Sequence, residues 1–384
     1  MGASIAWHLA RLGARVTVLE QGSRAASGVT RWSYGWVGTA SASASDNPAA
    51  FSSTLQAIAD FKRLALDLGP LPIAARGAMV WLENDAQTSA LINQQRSAGV
   101  NLQPLNAQQI SALEPCMITP PALAAWAPDD FAVEPVALAK MLLSGAEQAG
   151  AEILYGRRVD GIDTHNGRVT AARCAAQTYA ADTVVLANAG AAIGLAAGVG
   201  LPLPLLTRPA VLMRFAAPAG VVRHLVYGNG LELRPALEGG VACAEEAPAE
   251  GEAGLPALVE LTTKAIRQMF IGATALSLRA VSIGHRPMTP EGKPVMGYLP
   301  GVEGCIPWWH TLGSCLRPTS AVWQPRKSYE REASRAPANA PGQQPGQCNF
   351  SLGSVPRPIL LPSIIRAVRK NPYNAIWCMR YSDT

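Results

Sequence analysis

The segment Gly2-Ala3-Ser4-Ile5-Ala6-Trp7-His8-Leu9-Ala10-Arg11-Leu12-Gly13-Ala14-Arg15-Val16-Thr17-Val18-Leu19-Glu20 carries the fold. Its first half has the composition of a helix packed closely on a sheet, Leu12-Gly13 stops that helix, and Arg15 to Glu20 alternates into a buried strand that ends on an acid. In a dinucleotide-binding βαβ unit the third glycine of GxGxxG opens the helix, and an acid about 20 residues further on accepts the ribose hydroxyls. Gly2 fits that glycine and Glu20 that acid. The preceding strand and the first two glycines are not in this sequence, so the chain reads as starting inside the motif, with Met1 an internal methionine or a point of truncation. A helix–Gly–strand–Glu unit also occurs in doubly wound folds that bind no nucleotide.

With 384 residues, 49% hydrophobic and 15% charged, the chain can bury a core and has the length for two domains. It has no uninterrupted run of 18 apolar residues and no signal-peptide pattern, so the expectation is a soluble, cytoplasmic protein without a transmembrane segment. The net charge of +5 is spread out, with much of it at Arg317, Arg326, Lys327, Arg331 and Arg335, which gives no support to nucleic-acid binding. Seven cysteines without a CxxC pair or a His-rich partner argue against a zinc or other metal site and give no disulfide framework.

After Glu20 comes Gln21-Gly22-Ser23-Arg24-Ala25-Ala26-Ser27-Gly28-Val29-Thr30-Arg31-Trp32, small and hydroxyl residues leading to an arginine and an aromatic. Further on stand Ile110-Ser111-Ala112-Leu113-Glu114-Pro115, Asp130-Phe131-Ala132-Val133-Glu134-Pro135, the strand-to-turn element Thr183-Val184-Val185-Leu186-Ala187-Asn188-Ala189-Gly190, and Gly284-His285-Arg286-Pro287-Met288-Thr289-Pro290-Glu291-Gly292-Lys293-Pro294-Val295-Met296-Gly297. Taken in this order, the five segments resemble the D-amino acid oxidase superfamily of FAD-dependent oxidoreductases, which includes glycine oxidase, sarcosine oxidase and D-amino acid dehydrogenase. The resemblance covers about residues 2–304.

It implies an α/β fold: a Rossmann-like FAD-binding domain from 1–45, 130–202 and 276–304, and a substrate domain built on an antiparallel sheet from 46–129 and 203–275. It further implies that FAD is the cofactor and that the C–N bond of an amino acid or secondary amine is oxidised by hydride transfer to the flavin. Cofactor contacts are expected from Gly2, Glu20, Ser27, Gly28, Thr30, Arg31, Val159, Ala187, Gly190, Gly284 and Gly297. Small residues let backbone N–H groups approach phosphate, and glycine at 190 suits a backbone passing close to the dinucleotide. Arg286 is expected to fork onto the substrate carboxylate, since a planar guanidinium offers two parallel charge-assisted bonds. Arg31 and Arg234 are the next arginines in line for that task. His285 reads as structural, because amine oxidation by hydride transfer needs only a neutral amine. The particular amine and the electron acceptor, oxygen or another, are left open.

Local patterns add helices over about 51–68, 135–149 and 255–269, a hairpin turning at Asn166-Gly167, and a meander of short strands between 211 and 244. Past Gly304 the family pattern breaks off. Four of the nine tryptophans and four of the seven cysteines lie in 305–384. Codons exist that, read one base out of phase, turn Gly304 to Tyr329 into the expected strand, loop and final helix. Residues 305–384 therefore read as an off-frame, largely disordered tail. The alternative to an active enzyme is a non-catalytic remnant that does not retain FAD.

Overall fold

The structure, a computed structural model, describes residues 1–40, 48–175, 177–289, 295–296, 301–309 and 374–379. Among them are three sheets. The first has six strands in the order Val295–Met296, Cys305–Trp309, Thr183–Leu186, Asn374–Met379, Arg15–Glu20, Glu152–Tyr155. All neighbours are parallel except the Val295–Met296 edge strand. Parallel strands buried on both faces need continuous apolar runs, and Val16, Val18 and Leu19 are at most 1% exposed, as are Val184 and Leu186.

On one face lies the helix Gly2–Arg11, whose Ala3, Ala6, Trp7 and Ala10 pack with Leu142, Leu143 and Ala146 of the helix Pro135–Gln148. The two approach closely. A Cβ on Gly145 would stand 2.8 Å from the Trp7 ring. A second helix face, around Leu195 and Ala196, covers the sheet from a separate cluster with Leu19, Val184 and Leu186.

The second sheet has nine strands, with Ser277–Met288 at one edge, then Leu206–Ala216, Val241–Glu246, Leu231–Pro235, Leu225–Gly228, Ile73–Val80, Leu123–Val133 and Trp36–Val37; Gln103–Asn106 pairs beside Leu123–Val133. One pair, Leu225–Gly228 with Ile73–Val80, is parallel and the rest are antiparallel. The helix Leu255–Met269 closes one face, with Ile266 and Phe270 packed on Val211, Met213 and Phe215. A three-stranded antiparallel sheet holds Gly161–His165, Arg168–Cys174 and Gln177–Ala180, and its hairpin turns at Asn166 and Gly167, both at positive φ.

The helices at 48–68, 135–148 and 255–269 and the meander agree with their local patterns. Three placements differ from the sequence reading. Trp36–Val37 and Ser277–Met288, grouped above with the FAD-binding domain, pair into the nine-stranded sheet. The strand Leu123–Val133 keeps residues 130–133 there as well. Cys305–Trp309 and Asn374–Met379, within the stretch expected to be a disordered tail, are strands of the six-stranded sheet. Asn374–Met379 lies between Arg15–Glu20 and Thr183–Leu186, the place a doubly wound order gives to the strand that precedes the first helix. The rest of the tail, 310–373 and 380–384, lies outside the described residues.

Buried carboxylates join the layers. Asp130 accepts hydrogen bonds from Trp36 Nε1, Thr39 N and Ala40 N at 2.9, 3.1 and 3.0 Å. A Cβ on Gly38 would come within 2.0 Å of that carboxyl, so only glycine lets the chain pass. Glu114 accepts from Arg223 N, His224 N and His224 Nδ1 at 2.7–3.1 Å.

Glu134 caps the sequence start of the Pro135–Gln148 helix and binds two arginines, Arg214 at 2.6 Å and Arg234 at 3.2 Å. Burial pushes the Glu134 carboxyl up, but the Arg214 hydrogen bond and the Arg234 charge outweigh it, and the net displacement is downward. Removing one partner of a buried ion pair leaves uncompensated charge. Glu134→Gln is expected to lower stability by about 3 kcal/mol in urea unfolding. Glu303→Gln, which breaks the exposed Arg168–Glu303 pair at 2.8 Å, should cost under ~1 kcal/mol.

Candidate functional site

In parallel α/β sheets, ligands bind beyond the carboxyl ends of the strands. Glu20 ends the Arg15–Glu20 strand and is 1% exposed. Its Oε1 accepts the Gly22 N–H at 2.7 Å, while Oε2 is buried and has no hydrogen-bond partner. Burial raises its pKa to about 7, partly offset by the Gly22 N–H. Ser27 folds back over this end: a Cβ on Gly22 would meet Ser27 Oγ at 2.1 Å and Glu20 Oε1 at 3.2 Å. The loop of small residues thus passes directly beside the Glu20 carboxylate.

Beyond Gly28 the chain makes a short 3-10 turn, Val29–Trp32, closed by Arg31 N donating to Gly28 O at 2.8 Å. Arg31 is exposed, with its guanidinium 5.4 Å from the Trp32 ring centre. The turn packs on the strand Ser277–Met288, where a Cβ on Gly284 would stand 3.3 Å from Trp32 Cβ and 3.5 Å from Val29 Cγ2. Arg286 lies two residues on, on the same face of that strand as Gly284, half-buried, and directly opposite Arg208 in the antiparallel register. A second 3-10 turn, Ala189–Ala191, also lies against Ser277–Met288. The structure therefore brings Thr30, Arg31, Gly190, Gly284 and Arg286 to one junction between the sheets, with Glu20, Ser27 and Gly28 along the strand ends that lead to it.

Several expected residues stand differently. Arg234 is 0% exposed, and its guanidinium donates to Tyr34 O at 2.6 Å, Pro235 O at 2.8 Å and Glu134 at 3.2 Å. Fully buried, with each of its three nitrogens already bonded, it presents no face to a substrate carboxylate. Gly190 is not crowded: the nearest atom to a Cβ there is Thr207 Cγ2 at 3.4 Å, ordinary contact, and the left-handed residue of the turn is Ala189, φ 52°. Nothing in the protein itself makes glycine necessary at 190. The Val159 side chain is buried with Leu19 and Ile162, so only its backbone faces outward chemistry. His285 is exposed. Gly2 sits buried in the first helical turn, Ala187 is half-buried after its strand, and Gly297 lies outside the described residues.

Sequence reading passed over Asn188. It is 1% exposed, and neither polar atom of its carboxamide has a partner. The available signal was a polar side chain at the end of an otherwise apolar strand, Thr183-Val184-Val185-Leu186-Ala187.

A family model for "FAD dependent oxidoreductase" matches residues 1–313. The chain belongs to that family. The match runs past Gly304, where the sequence reading placed the break, and takes in the strand Cys305–Trp309. A D-amino acid dehydrogenase of Cereibacter sphaeroides is 32% identical over 204 residues, covering 50% of this chain and 44% of that protein. The bifunctional protein ThiO/ThiG of a Synechocystis species is 29% identical over 183 residues, covering 46% of this chain and 27% of that one. The chain thus spans less than half the length of these curated relatives.

Among solved structures, glycine oxidase from Geobacillus kaustophilus superposes with a TM-score of 0.69 at 23% identity, covering 82% of this chain and 88% of that one. An iminodiacetate oxidase from a Chelativorans species gives 0.68 at 21%, covering 82% and 89%. At these identities the superpositions establish the fold alone.

The cofactor this family is named for fits the residues present. Glu20 Oε2 is a buried acceptor without a donor, and a vicinal diol supplies one. No metal-binding group of three or more His, Cys, Asp or Glu occurs among the described residues, and no helix there is long and apolar enough to cross a membrane.

The sign of the Glu20 effect can be measured. Folded Glu20 holds its proton to about pH 7 against an ordinary 4.5, so the ligand-free fold loses stability as pH rises between those values. Glu20→Gln should remove up to about 3 kcal/mol of that loss, read as the difference in unfolding free energy between pH 4.5 and 8. Asp130, raised to about 6 chiefly by burial, acts in the same direction and persists in the variant. Identical pH profiles for the two proteins would refute the assignment.

Proposed function

We propose that this chain is an FAD-dependent oxidoreductase that oxidises the C–N bond of an amino acid or secondary amine. The observation that carries the reading is the junction itself, where the strand bearing Arg286 meets the two turns that follow the loop beyond Glu20 and the Thr183–Leu186 strand. The family match over residues 1–313 and the D-amino acid dehydrogenase relative support it.

Glu20 would accept the adenosine ribose hydroxyls through its orphaned oxygen. Gly2, at the start of the first helix, and the Ser27, Gly28, Thr30 and Arg31 segment would line the pyrophosphate and the approach to the flavin, with the backbones of Val159, Ala187 and Gly190 alongside. Gly284 lets its strand lie against Trp32 and Val29, which sets the height of Arg286 over the junction. Gly297 closes the same motif. Bound FAD supplies the two-electron acceptor for hydride leaving the carbon next to nitrogen, and the resulting imine hydrolyses.

Arg286 would hold the substrate carboxylate by two parallel bonds. This fixes the direction in which the Cα–H bond points, and orientation of this kind is the protein's main share of the work in a cofactor enzyme. Arg208, opposite Arg286, is occupied by Glu246 at 3.2 Å. A cytoplasmic location and an acceptor of electrons, oxygen or another oxidant, complete the proposal.

Protein reconstituted with FAD should show flavin absorbance at close to one equivalent per chain; a colourless protein would make it a non-catalytic remnant instead. Arg286→Lys should keep that absorbance while weakening carboxylate-bearing substrates by roughly 2–4 kcal/mol in kcat/KM, because lysine cannot reproduce the bidentate fork. A panel of amino acids and amines with oxygen and dye acceptors reads both the substrate class and the loss. Unchanged kinetics would move carboxylate binding to another residue, with Arg31 the one to test.

A further inference from the structure

Asn188 is a buried polar residue whose surroundings in the protein give it no hydrogen bond. Its carboxamide brings one acceptor and two donors into a site that is 1% exposed, and both Oδ1 and Nδ2 are without partners. Its sequence neighbours are alanines, Ala187 and Ala189, and burying an unsatisfied amide is unfavourable, so the protein's own packing gives no reason for asparagine here.

Its place in the sheet supplies the reason. Leu186 and Leu19 are both level with Cys378 of the strand between them, so the Thr183–Leu186 and Arg15–Glu20 strands end at the same edge. Glu20 lies one residue beyond that level and Asn188 two beyond. On its other side Asn188 leads into Ala189–Ala191, which lies against the strand of Arg286; the Cβ position of Gly190 stands 3.4 Å from Thr207, next to Arg208. Along that edge the order is Glu20, Asn188, Arg286.

We infer that the Asn188 carboxamide is a hydrogen-bonding partner for the middle of bound FAD, its ribityl–pyrophosphate span. This rests on the FAD reading above. A cofactor with its adenosine ribose at Glu20 and its flavin at the Arg286 junction must carry that span past Asn188, and phosphate or ribityl oxygens satisfy an amide that the protein leaves unpaired.

The role makes two effects of one substitution move in opposite directions. Asn188→Ala and Asn188→Leu remove an unsatisfied buried amide from the ligand-free protein, so its melting temperature should hold or rise. The same variants should raise the dissociation constant for FAD, measured by quenching of flavin fluorescence on titration into apoprotein, by about 10- to 100-fold, the usual range for a hydrogen bond to a charged group. Asn188→Ser, which keeps one hydroxyl, should recover part of the affinity.

A fall in the melting temperature of all three ligand-free variants would assign Asn188 to the fold and overturn the inference. FAD affinity unchanged from wild type would do the same. Wild-type protein that binds no FAD would instead bring down the FAD reading on which the inference stands.

Discussion

Glu134 between Arg214 and Arg234 is the contact on which the arrangement of the two sheets turns. The carboxylate belongs to the residue that opens the Pro135–Gln148 helix, which packs on the first helix and the six-stranded sheet; the arginines belong to Leu206–Ala216 and Leu231–Pro235 of the nine-stranded sheet. Both arginines also reach the chain between the sheets. Arg234 Nε donates to Tyr34 O at 2.6 Å, and Arg214 Nη2 reaches Arg31 O at 3.5 Å. One carboxylate therefore fixes the relative position of a helix, two strands and the Arg31–Tyr34 segment. Buried ion pairs are poor sources of net stability, because desolvation cancels much of the attraction. What this one supplies is position: a shift of either sheet would strand charge in the interior.

Two further buried acids work alike. Asp130 draws Trp36, Thr39 and Ala40 onto Leu123–Val133, and Glu114 ties its loop to Arg223 and His224. Glu114, Asp130 and Glu134 all belong to segments that the sequence offered only as landmarks of a resemblance. Their chemistry was invisible there because an acid's burial and its partners, 80 to 110 residues away in these cases, are tertiary facts. Elements set by local rules were legible: the Asn166-Gly167 turn by its positive φ demand, the Leu255–Met269 helix by its period, the Arg15–Glu20 strand by alternation and a glycine stop. Trp36–Val37 has two residues and no period, so only its pairing with Phe131 and Ala132 reveals its sheet. The sheet of Ser277–Met288 is likewise revealed only by pairing, since its partners in Leu206–Ala216 lie 61 to 82 residues away in sequence.

The candidate site divides along the same line. Glu20 and Arg286 stand out as candidates in the sequence because their motifs demand a particular residue type at a particular spacing. Arg234 looked equivalent to Arg286 as a letter, and its burial separates them: Arg234 is 0% exposed, Arg286 half-buried. The turn after Thr183–Leu186 was read through its glycine, yet the structure puts the left-handed residue at Ala189 and leaves space at Gly190. A spacing rule identifies the element and not the atom that matters in it.

The unsatisfied groups give the site a physical definition that does not depend on motif. Folded proteins pair nearly all buried polar atoms, so an orphan is an exception that calls for a cause. Here Glu20 Oε2 and both amide atoms of Asn188 are such exceptions, and they stand at the carboxyl ends of two parallel strands separated by one other. That edge is where α/β sheets bind their ligands. A fold that keeps a carboxylate oxygen and a carboxamide unpaired at that edge, while giving the buried carboxylates Glu134, Asp130 and Glu114 hydrogen-bond donors elsewhere, keeps hydrogen-bonding capacity there that a polar ligand recovers.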